Sequence, residues 1–201
     1  MSQDITKWFP KNRLEALTDG VYAVALTLLV LDLKLPVGSM THIVFLDALN
    51  DQISNFFTWI LSFWVIVIFW QVRIRLIQCF NHVGNTYIQL EFIHLALICL
   101  LPFTTSLVGE YYTEPLAFLI YTGNLWLLCL LGYFQVLHIK KSKQLVASEV
   151  SQIEIESQLH SFKMVLISVS IALALAYFLP GWNLLAILIS KLFFKQSLSK
   201  D

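Results

Sequence analysis

Long apolar runs broken by short polar stretches organise this chain of 201 residues. Runs at 20–35, 56–72, 87–108, 116–139 and 164–179 approach the roughly 20 residues that a helix needs to cross a bilayer. A sixth run, 182–194, is shorter and follows a helix-breaking Pro180-Gly181 pair, so the last two segments read as a tight hairpin. With their flanking turns, the runs predict an all-α polytopic protein. Its six membrane helices fall at approximately 14–35, 54–72, 87–108, 115–139, 161–179 and 182–195, one repeat filling 1–201. Between the fourth and fifth spans, segment 140–160 spaces Leu145, Val146, Val150, Ile153 and Leu159 helically. It reads as a cytoplasmic amphipathic helix, too short to be a domain.

The first span carries more polar chemistry than an anchor needs. From Arg13 it reads RLEALTDGVYAVALTLLVLDL, with Asp19 just inside its start and Thr27 near its middle. Ionisable groups inside a membrane span generally face a bundle interior or an aqueous path. At 100° per residue, Leu17, Val24, Leu28, Leu31 and Leu35 share a stripe with Thr27 beside it, while Asp19 lies about 140° from Val24. One reading is plain packing against lipid or neighbouring helices, with Thr27 bonding back to its own backbone. The other is a pore lining, in which stacked Val and Leu rings gate by dewetting and Thr27 hydroxyls replace part of a cation's hydration shell. Asp19 is then structural, paired within the subunit, with Arg13 as a candidate partner.

Composition and charge narrow the class. The chain is 58% hydrophobic and 13% charged, with a mean hydropathy of +0.73, against about 25% charged residues in soluble domains. The polar first 15 residues lack the apolar core of a signal peptide, so the first run is expected to stay in the mature protein. Net charge is zero, and nothing resembles a nucleic-acid-binding basic patch. Cys79, Cys99 and Cys129 are widely spaced, which gives little support to a disulfide or zinc site. If six helices alternate, twelve of the thirteen Lys and Arg fall on one side and only Lys34 on the other. The positive-inside rule then places both termini in the cytoplasm. Asp47, Asp51, Glu110 and Glu114 mark the opposite side, as solvated loop charges or as a cation-concentrating vestibule around a shared pore.

Several function classes lack their signatures. There is no nucleophile elbow, zinc spacing or paired intramembrane carboxylate, so an enzyme is not expected. A T-V-G-Y-G filter and a regular arginine voltage sensor are also missing. An ion-coupled small-solute transporter is the main alternative, although only Pro102 interrupts a long span. Of His82, His94, His138 and His160, only His94 lies deep in a span, which argues against haem. Glu91, one turn before His94, marks a polar contact at the cytoplasmic end of the third span.

The first span closely resembles the R-x-x-x-F-S-D signature and following helix of the lysosomal potassium channel family (transmembrane protein 175) and its prokaryotic homologues. Arg13, Leu17, Thr18 and Asp19 occupy the R, F, S and D positions, Leu17 replacing Phe and Thr18 replacing Ser. The second span keeps Ser62-Phe63 and Trp70, although Arg73 and Arg75 stand where the family often has paired histidines. LLPFTTSLVGEY in the third span and LIYTGNLWLL in the fourth are similar to the family's further motifs. The resemblance implies a potassium-conducting channel in the plasma or inner membrane, and the missing filter and voltage sensor make it leak-like, with modest potassium selectivity. The resemblance also implies a homotetramer around four first helices, surrounded by lipid and passing monovalent cations. K+ is the permeant ion and no cofactor is implied. By the same resemblance Val24, Leu28 and Leu31 line the gate, Thr27 contacts transient K+, and Arg13, Thr18, Asp19, Ser62 and Trp70 form a structural network.

Overall fold

The computed structural model describes residues 10–33, 49–50, 52–78, 83–141 and 152–178. Five long helices account for most of them: α1 (Lys11–Leu28), α2 (Ile53–Gln78), α3 (Asn85–Glu110), α4 (Pro115–Lys141) and α5 (Gln152–Phe178). A 3-10 turn, Leu29–Asp32, extends α1. All five are long and apolar enough to cross a membrane. The expected sixth span, 182–195, and Lys34, Asp47 and Asp51 lie outside the described residues.

Local chemistry sets the helix limits. Pro10, held at φ −60°, precedes α1, and its carbonyl accepts from the backbone N–H groups of Arg13 and Leu14. Pro115 opens α4 at the first helical position, where a missing N–H has no intrahelical bond to lose. Pro102 sits inside α3. One turn earlier the Leu97 carbonyl accepts from Asn124 Nδ2 at 3.2 Å, so α4 supplies a polar partner beside this weak point in the ladder.

Two boundaries differ informatively from the pattern of apolar runs. Helix α2 continues through Arg73 and Arg75, because Arg73 finds acceptors inside the bundle instead of ending the span. Helix α5 begins at Gln152, so 152–160 belongs to the same helix as the fifth span and not to a separate element. Residues 142–151 lie outside the described residues.

The helices pack in sequence, α2 on α3, α3 on α4 and α4 on α5, while α1 folds back onto α3 and α2. Thr18 meets Glu91 and Tyr22 meets His94, at near-constant offset, so α1 and α3 run parallel. Helix α1 is the most peripheral. Only 28% of its apolar stretch is buried, against 50% for α3 and α4, so most of α1 faces away from the other described helices. At the α4–α5 contact a Cβ on Gly132 would overlap the Phe162 ring, so the absent side chain sets how closely those helices approach.

Candidate functional site

The faces of α1 separate by periodicity. Leu14, Thr18, Tyr22, Ala25 and Leu29 are buried against α2 and α3. Leu17, Val24, Leu28 and Leu31 turn outward; Val24 is 56% exposed and Leu31 60%. Arg13, Ala16, Gly20, Ala23 and Thr27 are exposed beside them. The outward face is therefore a branched-aliphatic stripe flanked by small residues and one hydroxyl. Thr27 Oγ1 donates to the Val24 carbonyl at 2.8 Å. That bond occupies the hydroxyl proton and leaves oxygen lone pairs free to accept, the polarity a cation requires.

Behind this face a polar layer crosses the subunit. Arg73 on α2 and Glu91 on α3 form a salt bridge at 3.1 Å with side chains only 2% and 0% exposed. Arg73 Nη1 also donates to Gln135 Oε1 on α4 at 2.7 Å and to the Tyr87 hydroxyl at 3.5 Å. Gln135 Nε2 donates to Glu91 Oε2 at 3.1 Å. Glu91 Oε1 accepts from Thr18 on α1 at 3.3 Å. One turn further along, the Tyr22 hydroxyl and His94 Nε2 are hydrogen-bonded at 2.9 Å. Four helices are thus joined by a single charged centre. Unpaired charges at such depth would cost several kcal/mol each, so pairing is a condition of α2 and α3 spanning at all.

A second polar layer sits towards the other end of the bundle. Thr105 Oγ1 donates to Ser62 Oγ at 2.9 Å, and Ser62 Oγ lies 3.0 Å from the Tyr121 hydroxyl. It joins α2, α3 and α4 and omits α1. Trp126 Nε1 donates to Ser170 Oγ at 2.9 Å, tying α4 to α5.

The residues expected to form one network therefore divide. Trp70 Nε1 donates to Asp19 Oδ1 at 2.9 Å. Thr18 belongs to the Glu91 centre, and Ser62 lies in the opposite polar layer, where α2 has climbed away from Asp19. Arg13 is exposed and makes no ion pair with Asp19 among the described residues; six residues along a helix place them on different sides. Arg73, expected as a flanking cation, is instead the buried partner of Glu91. Removing it leaves eleven of the thirteen cations on the expected side, so the asymmetry persists. Gln135 carried no sequence signal beyond being an amide within an apolar run.

Comparisons with known proteins bear on the same helices. Residues 13–102 match the family model described as endosomal/lysosomal potassium channel TMEM175. A potassium channel of Streptomyces collinus is 32% identical over 110 residues, covering 53% of this chain and 51% of the relative. A potassium channel of Chamaesiphon minutus is 31% identical over 107 residues, 53% of each chain. The chain thus spans about half the length of the curated relatives it matches. The crystal structure of a lysosomal potassium-selective channel TMEM175 homolog from Chamaesiphon minutus superposes with a TM-score of 0.80 at 20% identity. That fold match covers 93% of this chain and 97% of the other. These relatives are channels, not enzymes. The stretch that matches the TMEM175 family model, residues 13–102, holds α1, α2 and the Glu91 centre.

Proposed function

We propose that the chain is one subunit of a potassium-conducting, leak-like channel whose ion path is lined by α1 from four copies. The observation that carries this reading is the division of α1. Its buried face packs on α2 and α3, while Leu17, Val24, Leu28 and Leu31 project together on the opposite side, each exposed by 41–60%. Four such helices around an axis form rings of Val24, Leu28 and Leu31. A column of aliphatic rings is a barrier that water wets only when it widens, which makes it a hydrophobic gate. Exposed Ala16, Gly20 and Ala23, next to the stripe, allow close approach of neighbouring α1 helices. The curated bacterial relatives, named potassium channels, support the choice of ion.

Selectivity in this reading comes from side-chain chemistry of the helix. Thr27 presents an acceptor oxygen whose proton is already committed to Val24. Four such oxygens replace part of the hydration shell of a K+ ion held transiently beside them. Asp19 is held by Trp70 and stays outside the ion path. In this reading the subunit sits in the plasma or inner membrane with six spans and both termini in the cytoplasm, an orientation that the asymmetric distribution of cations supports.

Purified protein in potassium-loaded liposomes tests the proposal. Wild type releases K+ down its gradient, and Leu28→Trp, which fills the ring, reduces the rate at least about tenfold. Absence of cation flux from wild type contradicts the channel reading. Saturable solute uptake driven by an ion gradient replaces it with the transporter.

A further inference from the structure

We propose that Gln135, Arg73 and Glu91 are positioning residues: a buried latch that sets the place of α1, and hence the opening of the ion path, from a helix that α1 barely meets. The inference rests on the channel reading for its link to opening, and on geometry alone for its link to α1.

The geometry has a direction. Gln135 lies on α4, which has no extensive contact with α1. Its amide spans the ion pair, accepting from Arg73 at 2.7 Å and donating to Glu91 at 3.1 Å. Those bonds fix the carboxylate in both distance and rotation. The other carboxylate oxygen is the one that accepts from Thr18 on the buried face of α1. Any change that rotates Glu91 therefore moves or releases Thr18. Thr18 lies one turn before Tyr22, whose hydroxyl makes the other side-chain hydrogen bond from α1 to α3. Two such bonds on one face define an angle, and Val24, Leu28 and Leu31 follow as the continuation of the same rigid helix.

The second polar layer supplies a control. Thr105, Ser62 and Tyr121 are also buried, and they join α2, α3 and α4 without touching α1. If buried polar layers merely hold the bundle together, loss of either layer affects the protein alike. If the Glu91 centre is a latch on α1, only its loss changes α1.

The test compares four single variants of the full chain: Gln135→Met, Thr18→Val, Thr18→Ser and Tyr121→Phe. Open probability in planar bilayers and hydrogen exchange of the α1 amides in detergent are read for each. Gln135→Met and Thr18→Val are expected to shift the open-to-closed ratio about fivefold, the factor for one hydrogen bond of ordinary strength. They also raise exchange in α1 while leaving the potassium-to-sodium permeability ratio unchanged. The Gln135→Met/Thr18→Val double variant shifts no further than the larger single, because both act on the same contact. Thr18→Ser behaves as wild type, and Tyr121→Phe alters neither readout. The latch is overturned if α1 exchange in Gln135→Met equals wild type, if Tyr121→Phe matches Gln135→Met, or if the two variants add. A wild-type protein without cation flux removes the channel reading, and α1 exchange still decides whether the latch exists.

Discussion

Arg73 and Glu91 show how a single pair can be both expensive and indispensable. Each is buried, so either charge left alone faces the penalty of an isolated ion in an apolar medium. Glu91→Leu is therefore expected to destabilise the folded protein by about 3–5 kcal/mol. The Arg73→Met/Glu91→Leu double replacement recovers most of that loss, as thermal unfolding in detergent will show. A double variant no better than the single would mean that the pair contributes attraction beyond relief of desolvation. Among the described residues, the hydrogen bonds of Arg73 pass through Nη1. The guanidinium fork is not used bidentately, so Arg73→Lys is expected to lose less stability than Arg73→Met. Thr27 belongs to a different residue-scale question, the identity of the ion. Thr27→Ala removes the one hydroxyl on the outward face of α1 within the Val24–Leu31 stretch, and it is expected to lower the potassium-to-sodium permeability ratio about fivefold. Reversal potentials in mixed salts measure it, and an unchanged ratio would place selectivity elsewhere.

Element by element, the chain's periodicity spoke clearly about faces and poorly about ends. The stripe of Leu17, Val24, Leu28 and Leu31 is visible in the sequence because helical spacing is a local property, and all four residues share the outward face of α1. The limits of α2 and α5 were not visible. A charged residue inside a span reads as the span's edge unless its partner is known, and Glu91 and Gln135 are distant in sequence from Arg73. Ser62 illustrates the same limit, since which neighbour a hydroxyl meets depends on the vertical register of two packed helices. Register also governs α4 and α5, where the Phe162 ring occupies the space that a side chain at 132 would fill. Gly132→Val is expected to lower stability by about 1–3 kcal/mol through overpacking. Adding Phe162→Ala restores part of it in the same unfolding assay. Independent, additive losses would show that the two residues do not share that space.

For the whole molecule, the decisive feature is the imbalance of cover. Among the described residues, helices α3 and α4 bury half of their apolar stretches, and α1 buries little more than a quarter. The fold shared with a TMEM175 homolog extends over 93% of the chain, well past the part matched by sequence, so architecture persists where sequence likeness has faded. Assembly was the part least readable from one chain, because a symmetric contact leaves no partner in the sequence, only an unpaired face. Cysteine scanning of α1 tests whether that face lines an aqueous path. In a background lacking the native cysteines, Leu14, Val24, Ala25, Leu28 and Leu31 are replaced singly by cysteine, and potassium flux is followed after a water-soluble, cationic thiol reagent is added. The account predicts block at Val24→Cys, Leu28→Cys and Leu31→Cys and none at Leu14→Cys or Ala25→Cys, whose side chains face α2 and α3. Flux that persists at all three outward positions, or block confined to the buried ones, would contradict an ion path along α1.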